Sequence, residues 1–148
     1  MDQQLKVFEK PSLDKNIFFH DSKEVFDYMT CYSKADREIF VLIFLNARNI
    51  VIEEEVHTVG DVDSSAVYPR QVFRSALMNN AVSIICVHNH PGDNTEPSEG
   101  DRNITKQLVH GGKLLGIRIL DHIIVSDDGY YSFADKGLLE EYERLGSF

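Results

Sequence analysis

The spacing of apolar positions divides the chain into alternating helices and strands. The first twenty residues show no strong period and read as an arm or a short edge strand. Val25, Phe26, Met29 and Tyr32 then recur at helical spacing. They predict a helix over residues 23–34, with Asp21 or Ser22 as its N-cap. Ile39–Leu45 is an unbroken apolar run of strand length, and polar turn residues at 46–49 lead into a second strand from Ile50. A run with no polar alternation predicts a central strand covered on both faces. Residues 60–65 read as a loop. Pro69 stands where helices favour proline, and Val72, Phe73, Ala76 and Leu77 follow at helical spacing.

Residues 81–87 predict another buried strand, which runs out into the segment HNHPGDNTEPSEGD. A helix over residues 98–110 follows, with Ile104, Leu108 and Val109 inward and Gly111 and Gly112 as its stop. Residues 117–125 predict a strand, Asp128-Gly129 a tight turn, and residues 130–133 a last short strand. The tail over residues 138–148 is charged and of helical composition. Strands and helices alternate around one sheet, which predicts a single α/β or α+β domain of three layers.

Composition narrows the class. A chain of 148 residues, 43% hydrophobic and 26% charged, fits one ordinary globular domain. No apolar run approaches the ~20 residues of a membrane span, and the N-terminus lacks the apolar core of a signal peptide. A cytoplasmic protein is expected. Two cysteines, Cys31 and Cys86, are too few for a disulfide framework and predict reduced thiols, with Cys86 in the core. The net charge of −9 and the scattered Lys and Arg residues argue against a nucleic-acid face.

The chemistry concentrates between residues 88 and 101. His88 and His90 sit at a strand end, and residues i and i+2 of an extended chain project to one side. Their imidazoles can converge, and Asp101, opening the next helix, completes three metal ligands with a fourth position open. Ser98 and Asp101 also form a capping-box-like pair, so both have a purely structural reading. Such a nitrogen and oxygen set suits zinc and also accepts cobalt, manganese or iron.

Written out, His88-Asn89-His90, seven residues, Ser98, two residues and Asp101 match the HxHx7SxxD signature of the JAMM (MPN-type) metalloprotease superfamily. The surrounding PRQVFRSALMNNAVSIICVHNHPGD, PSEGD and LLGIRILDHIIV resemble its RadC-like branch, over roughly residues 34–137. The resemblance implies an arm and helix over residues 1–33, a RadC-like JAMM domain over residues 34–137, and a tail beyond. The implied fold is a mixed central sheet flanked by helices, of JAMM/cytidine-deaminase-like type. It further implies one Zn2+ held by His88, His90 and Asp101 with water as the fourth ligand, and hydrolysis of a peptide or isopeptide bond.

Ser98 would then donate a hydrogen bond to the oxyanion. The superfamily's upstream glutamate, which orients water and shuttles its proton, maps to Glu38 at the head of the apolar strand. Glu53, Glu54 and Glu55 on the second strand are rivals, and alternation is expected to leave at least one of them in solvent. His122, in LDHIIV, supports the site or the fold. His57 and His110 read as surface or helix-end residues. Longer RadC-like proteins carry an N-terminal helix-hairpin-helix region of the kind that contacts DNA, and the residues preceding the resemblance are too few for it. A repair-associated or mobile-element accessory protein, or a metal-stabilised interaction module without catalysis, are therefore the alternatives. The sequence names no substrate and no oligomeric state.

Overall fold

The structure, a computed structural model, describes residues 16–60, 67–92 and 94–145. The loop expected over residues 60–65 therefore lies outside them except for Gly60, as does most of the N-terminal arm. From the arm, Phe18 forms a single antiparallel bridge to Ile50.

The unbroken apolar run folds as β1 (Ile39–Leu45), and all seven of its residues are buried. Alternation sends Phe40, Leu42 and Phe44 to one face of the sheet and Ile39, Val41, Ile43 and Leu45 to the other. A strand apolar on both faces belongs inside a sheet covered on both sides, and β1 lies between β2 (Val51–Val59) and β3 (Ser83–Asn89). Adding β4 (Arg118–Val125) and β5 (Tyr130–Ser132) gives the order β2-β1-β3-β4-β5. Only β3 and β4 pair in parallel. Helix α1 (Ser22–Met29) places Val25 and Met29 on the face of Val41 and Ile43. Helices α2 (Pro69–Met78), α3 (Glu99–Leu115) and α4 (Leu138–Leu145) cover the other face through Phe73, Leu108, Leu139 and Tyr142. The three layers expected from the alternation are present, with the tail's helix packed into the core.

Two helix ends differ from expectation. The first helix is α-helical only to Met29 and continues as a 3-10 segment, Thr30–Lys34. Its cap is Asp21, whose carboxylate accepts from the Glu24 N–H at 2.9 Å. Helix α3 runs through Gly111 and Gly112 and stops at Gly116, whose left-handed φ of 72° suits glycine. The glycine pair is a packing device rather than a stop. A Cβ on Gly111 would meet the Phe73 ring at 2.7 Å, and one on Gly112 would overlap the Ile117 carbonyl oxygen. The Phe73 side chain can move, whereas the Ile117 backbone cannot without shifting the entry to β4. Gly112→Ala should therefore destabilise the fold by about 1–3 kcal/mol despite the better helix propensity of alanine. Chemical denaturation would read this as an earlier midpoint, and an unchanged or later midpoint would count against the close approach.

Cys86 is fully buried in β3, where burial pushes its thiol pKa well up and keeps it protonated. Both cysteines are free. Among the described residues no helix is long and apolar enough to cross a membrane.

Candidate metal centre

Strand β3 is parallel to β4, so its continuation into the PG turn leaves at the end of the sheet where α3 begins. His88 and Asn89 are the last residues of β3, and the His90 N–H donates to the Val125 carbonyl at 3.0 Å, holding the chain extended. His88 and His90 therefore project to one side, as their spacing predicts. Ser98 caps α3 by accepting from the Asp101 N–H at 3.0 Å, and the Asp101 Oδ2 accepts in return from the Ser98 N–H at 2.9 Å. This reciprocal cap aims the carboxylate at the two imidazoles. The same rotamer that makes the cap also brings the carboxylate within reach of a metal ion shared with the two imidazoles.

The ligand atoms converge. His88 Nε2 and His90 Nε2 are 3.0 Å apart, His88 Nε2 and Asp101 Oδ1 are 3.2 Å apart, and His90 Nε2 and Asp101 Oδ2 are 3.1 Å apart. Donors about 2.0–2.1 Å from a tetrahedral zinc stand about 3.3 Å from one another, so the cluster is close to the size of such a shell. His88 is buried, Asp101 nearly so, and the His90 ring is the most open of the three at 17% exposure. The donor set thus fits a metal ion with a solvent-facing side, and it is the one such group among the described residues.

The electrostatics agree with a site built for a cation. Burial raises the Asp101 pKa, but the close approach of the His88 and His90 rings and the hydrogen bond from the Ser98 N–H outweigh it and hold the carboxyl well below the usual range. Burial lowers the pKa of His90, yet the bond and charge of Asp101, the Asn94 carbonyl and the charge of Glu38 together raise it. A field that favours a proton on His90 favours a metal in the same place. The His90 Nδ1 lies 3.0 Å from the Asn94 carbonyl, which can only accept, so Nδ1 carries the proton and Nε2 is left as the ligand atom.

Glu38 stands where the sequence reading set it, immediately before β1. Phe40 pairs with His88 in the antiparallel β1–β3 ladder, so continuing the register by two residues sets Glu38 opposite His90. Asn89, fully buried between the two histidines, grips this segment from across the sheet. Its Oδ1 accepts from the Ile39 N–H at 2.7 Å, and its Nδ2 donates to the Arg37 carbonyl at 3.0 Å. These are the backbone groups on either side of Glu38, so the residue between the ligands fixes where the carboxylate stem starts. Sequence reasoning missed Asn89; the signal available was an amide at the end of a strand whose stretch Ile84–Val87 is wholly apolar.

The rival glutamates lie elsewhere. Glu53, Glu54 and Glu55 pair with Phe44, Ile43 and Leu42, further down β1 than the Phe40–His88 pair. Glu54 is buried on the α1 side and accepts from the Tyr32 hydroxyl at 2.8 Å, and Glu55 lies 3.1 Å from His57 Nδ1. Alternation buries Glu54 and leaves its neighbours Glu53 and Glu55 half-buried, the Glu55 side chain being 34% exposed. The His57 ring is likewise buried, packed edge-on to Phe40, rather than on the surface. His110, near the end of α3, has its Nε2 3.1 Å from the Tyr142 carbonyl of α4.

With this geometry in place, comparison with known proteins gives a family. The model of the RadC-like JAB domain matches residues 19–138. The chain belongs to the RadC-like JAB family. This RadC-like chain is 47% identical over 104 residues to a UPF0758 protein of Methanosarcina mazei, covering 70% of this chain and 45% of the relative. It is 38% identical over 126 residues to one of Pseudoalteromonas translucida, covering 84% and 56%. A UPF0758 protein of Bacillus licheniformis is 46% identical over 103 residues, covering 70% and 46%. The RadC-like chain spans about half the length of these relatives. Its mixed five-stranded sheet and flanking helices agree with the JAB/MPN fold that the family implies.

Proposed function

We propose that this protein is a zinc-dependent hydrolase of peptide or isopeptide bonds. The observation that carries the reading is the convergence of His88 Nε2, His90 Nε2 and an Asp101 oxygen, with Glu38 set opposite His90 across the β1–β3 ladder. A zinc ion held by these three residues would polarise a scissile carbonyl and lower the pKa of a water molecule to about 7.

The chain's own groups supply the rest. Glu38, its backbone held by Asn89, takes a proton from the attacking water and delivers it to the leaving nitrogen, as general base and then general acid. Ser98 accepts from the Asp101 N–H, which leaves its own hydroxyl proton free to donate to a developing oxyanion. Its exposure at the helix N-terminus puts that hydroxyl where a substrate can reach it. His90, the most open ligand, marks the side from which a substrate approaches.

The test is hydrolysis of a panel of peptide and isopeptide substrates by the zinc-loaded full chain. Glu38→Gln should keep the fold and the metal but lower turnover by about 10²–10⁴-fold, the usual worth of a positioned acid–base group. Turnover insensitive to chelation, or full activity in Glu38→Gln, would overturn the mechanism. A folded, metal-binding protein with no hydrolysis on any substrate would instead favour a metal-stabilised interaction module, and salt-sensitive binding to DNA a repair-associated role.

A further inference from the structure

Resting on the metal reading of the site, we infer that His122 and Thr105 are positioning residues that hold His88 in its ligand-ready tautomer. Their hydrogen-bond chain takes its direction from a backbone carbonyl.

The chain has four members. His88 Nδ1 lies 2.8 Å from His122 Nε2, and His122 Nδ1 lies 2.6 Å from Thr105 Oγ1. Thr105 Oγ1 in turn lies 2.6 Å from the Asp101 carbonyl oxygen, one helical turn back in α3. The carbonyl can only accept, so the single hydroxyl proton of Thr105 goes to it. Thr105 must then accept from His122, which places the His122 proton on Nδ1. His122 Nε2 is left as an acceptor, so His88 Nδ1 carries the proton and donates it. His88 Nε2 is thereby bare, and it is the atom that faces His90 and Asp101. In the opposite direction the chain would place the His88 proton on Nε2, where it would block a metal.

Among the described residues, the groups packed on the middle of this chain are apolar rings. His122 is fully buried in β4, stacked on Phe133 at 4.8 Å and 7° and edge-on to Phe40 at 5.6 Å. Thr105 is buried as well. Packing alone would be served by an apolar ring at 122 and a valine at 105. The polar groups instead complete a circuit that begins and ends on metal ligands, from the His88 ring to the Asp101 backbone. Ligand histidines usually give their second N–H to a carboxylate, carbonyl or water. Here a neutral histidine takes it and passes the constraint to α3, tying the β3 ligand to the helix ligand.

The test is the zinc affinity of the full chain by competition with a chromophoric chelator, alongside unfolding of the zinc-free protein. Thr105→Val keeps the shape and removes both hydrogen bonds, and Thr105→Ser restores them. The expected result is a weaker affinity for Thr105→Val, about 10-fold or more, with Thr105→Ser within a factor of two of the wild type. His122→Phe should lie at or beyond the Thr105→Val value, toward 100-fold. The cobalt-substituted wild type and Thr105→Ser should share a visible spectrum that Thr105→Val shifts. A purely structural role would lower the unfolding midpoint of the zinc-free form while leaving the affinity of the folded protein and the cobalt spectrum unchanged. Equal affinity in Thr105→Val and the wild type would therefore overturn the inference while sparing the metal site. Absence of zinc binding in the wild type would overturn both. If His122→Phe does not fold, the Thr105 pair decides the matter.

Discussion

Replacing Asp101 should separate the two tasks of its side chain, with loss of metal as the larger effect. Asp101→Ala removes a ligand and the acceptor that caps the Ser98 N–H. Asp101→Asn removes the anionic ligand but keeps an amide oxygen that can accept from the same N–H. Both variants should lose zinc affinity by more than about 100-fold, since alanine offers no donor atom and a neutral amide oxygen lacks the charge that makes a carboxylate a strong ligand at a two-histidine site. Only the alanine variant should also lose the cap, worth about 1 kcal/mol in the zinc-free protein. Chelator competition reads the first effect and chemical denaturation of the apo form the second. Near-wild-type zinc affinity in Asp101→Asn would mean that the carboxylate acts only as a cap.

The second large effect concerns the neighbouring acid in β4. Asp121 is buried and accepts three hydrogen bonds, from the His122 N–H at 2.7 Å, the Ala134 N–H at 3.0 Å and the Ser132 hydroxyl at 2.6 Å. Burial outweighs these bonds and pushes its pKa up to about 6 from the ordinary 3.8. The folded protein thus binds this proton more tightly than the unfolded chain does. The stability this group contributes is fully present below pH 3.8 and is lost as the pH rises to about 6. A shift of this size corresponds to about 3 kcal/mol. In Asp121→Asn the amide oxygen can still accept from both N–H groups and its nitrogen can donate to Ser132. The variant should therefore be nearly neutral at pH 4 and more stable than wild type at pH 7, with the difference growing between pH 4 and 6. Denaturant midpoints measured across that range would show the divergence, and a constant difference would contradict a buried carboxylate ionising there.

Those two acids show what could be read from the chain and what could not. The convergence of His88, His90 and Asp101 into a candidate metal group was legible because its parts are local: a two-residue histidine spacing on a strand, and an acid three residues after a cap. The sheet core was legible for the same reason, since the unbroken apolar run of β1 admits few places other than the middle of a sheet covered on both sides. Glu38 was placed by its position at the head of that run, and the β1–β3 register supports the choice over Glu53, Glu54 and Glu55 by distance along the strand. What escaped were features defined by partners far away in sequence. Gly111 and Gly112 carry the signature of a helix stop, but Phe73 and the Ile117 carbonyl need that space, so the helix continues to Leu115. The role of Asn89 depends on its amide clasping the residues that flank Glu38, some fifty positions earlier in the chain. Thr105 carries no signal at all in isolation, because a threonine bonded back to its own helix is ordinary, and only β4 reveals the second bond to His122.

The central claim is that His88, His90 and Asp101 hold one metal ion, and the most direct measurement is anomalous scattering from crystals of the zinc-loaded full chain. Data collected on either side of the zinc absorption edge should give one strong peak per chain, bounded by His88 Nε2, His90 Nε2 and an Asp101 oxygen. A peak elsewhere, or no zinc peak between these three residues in crystals grown with excess zinc, would contradict it.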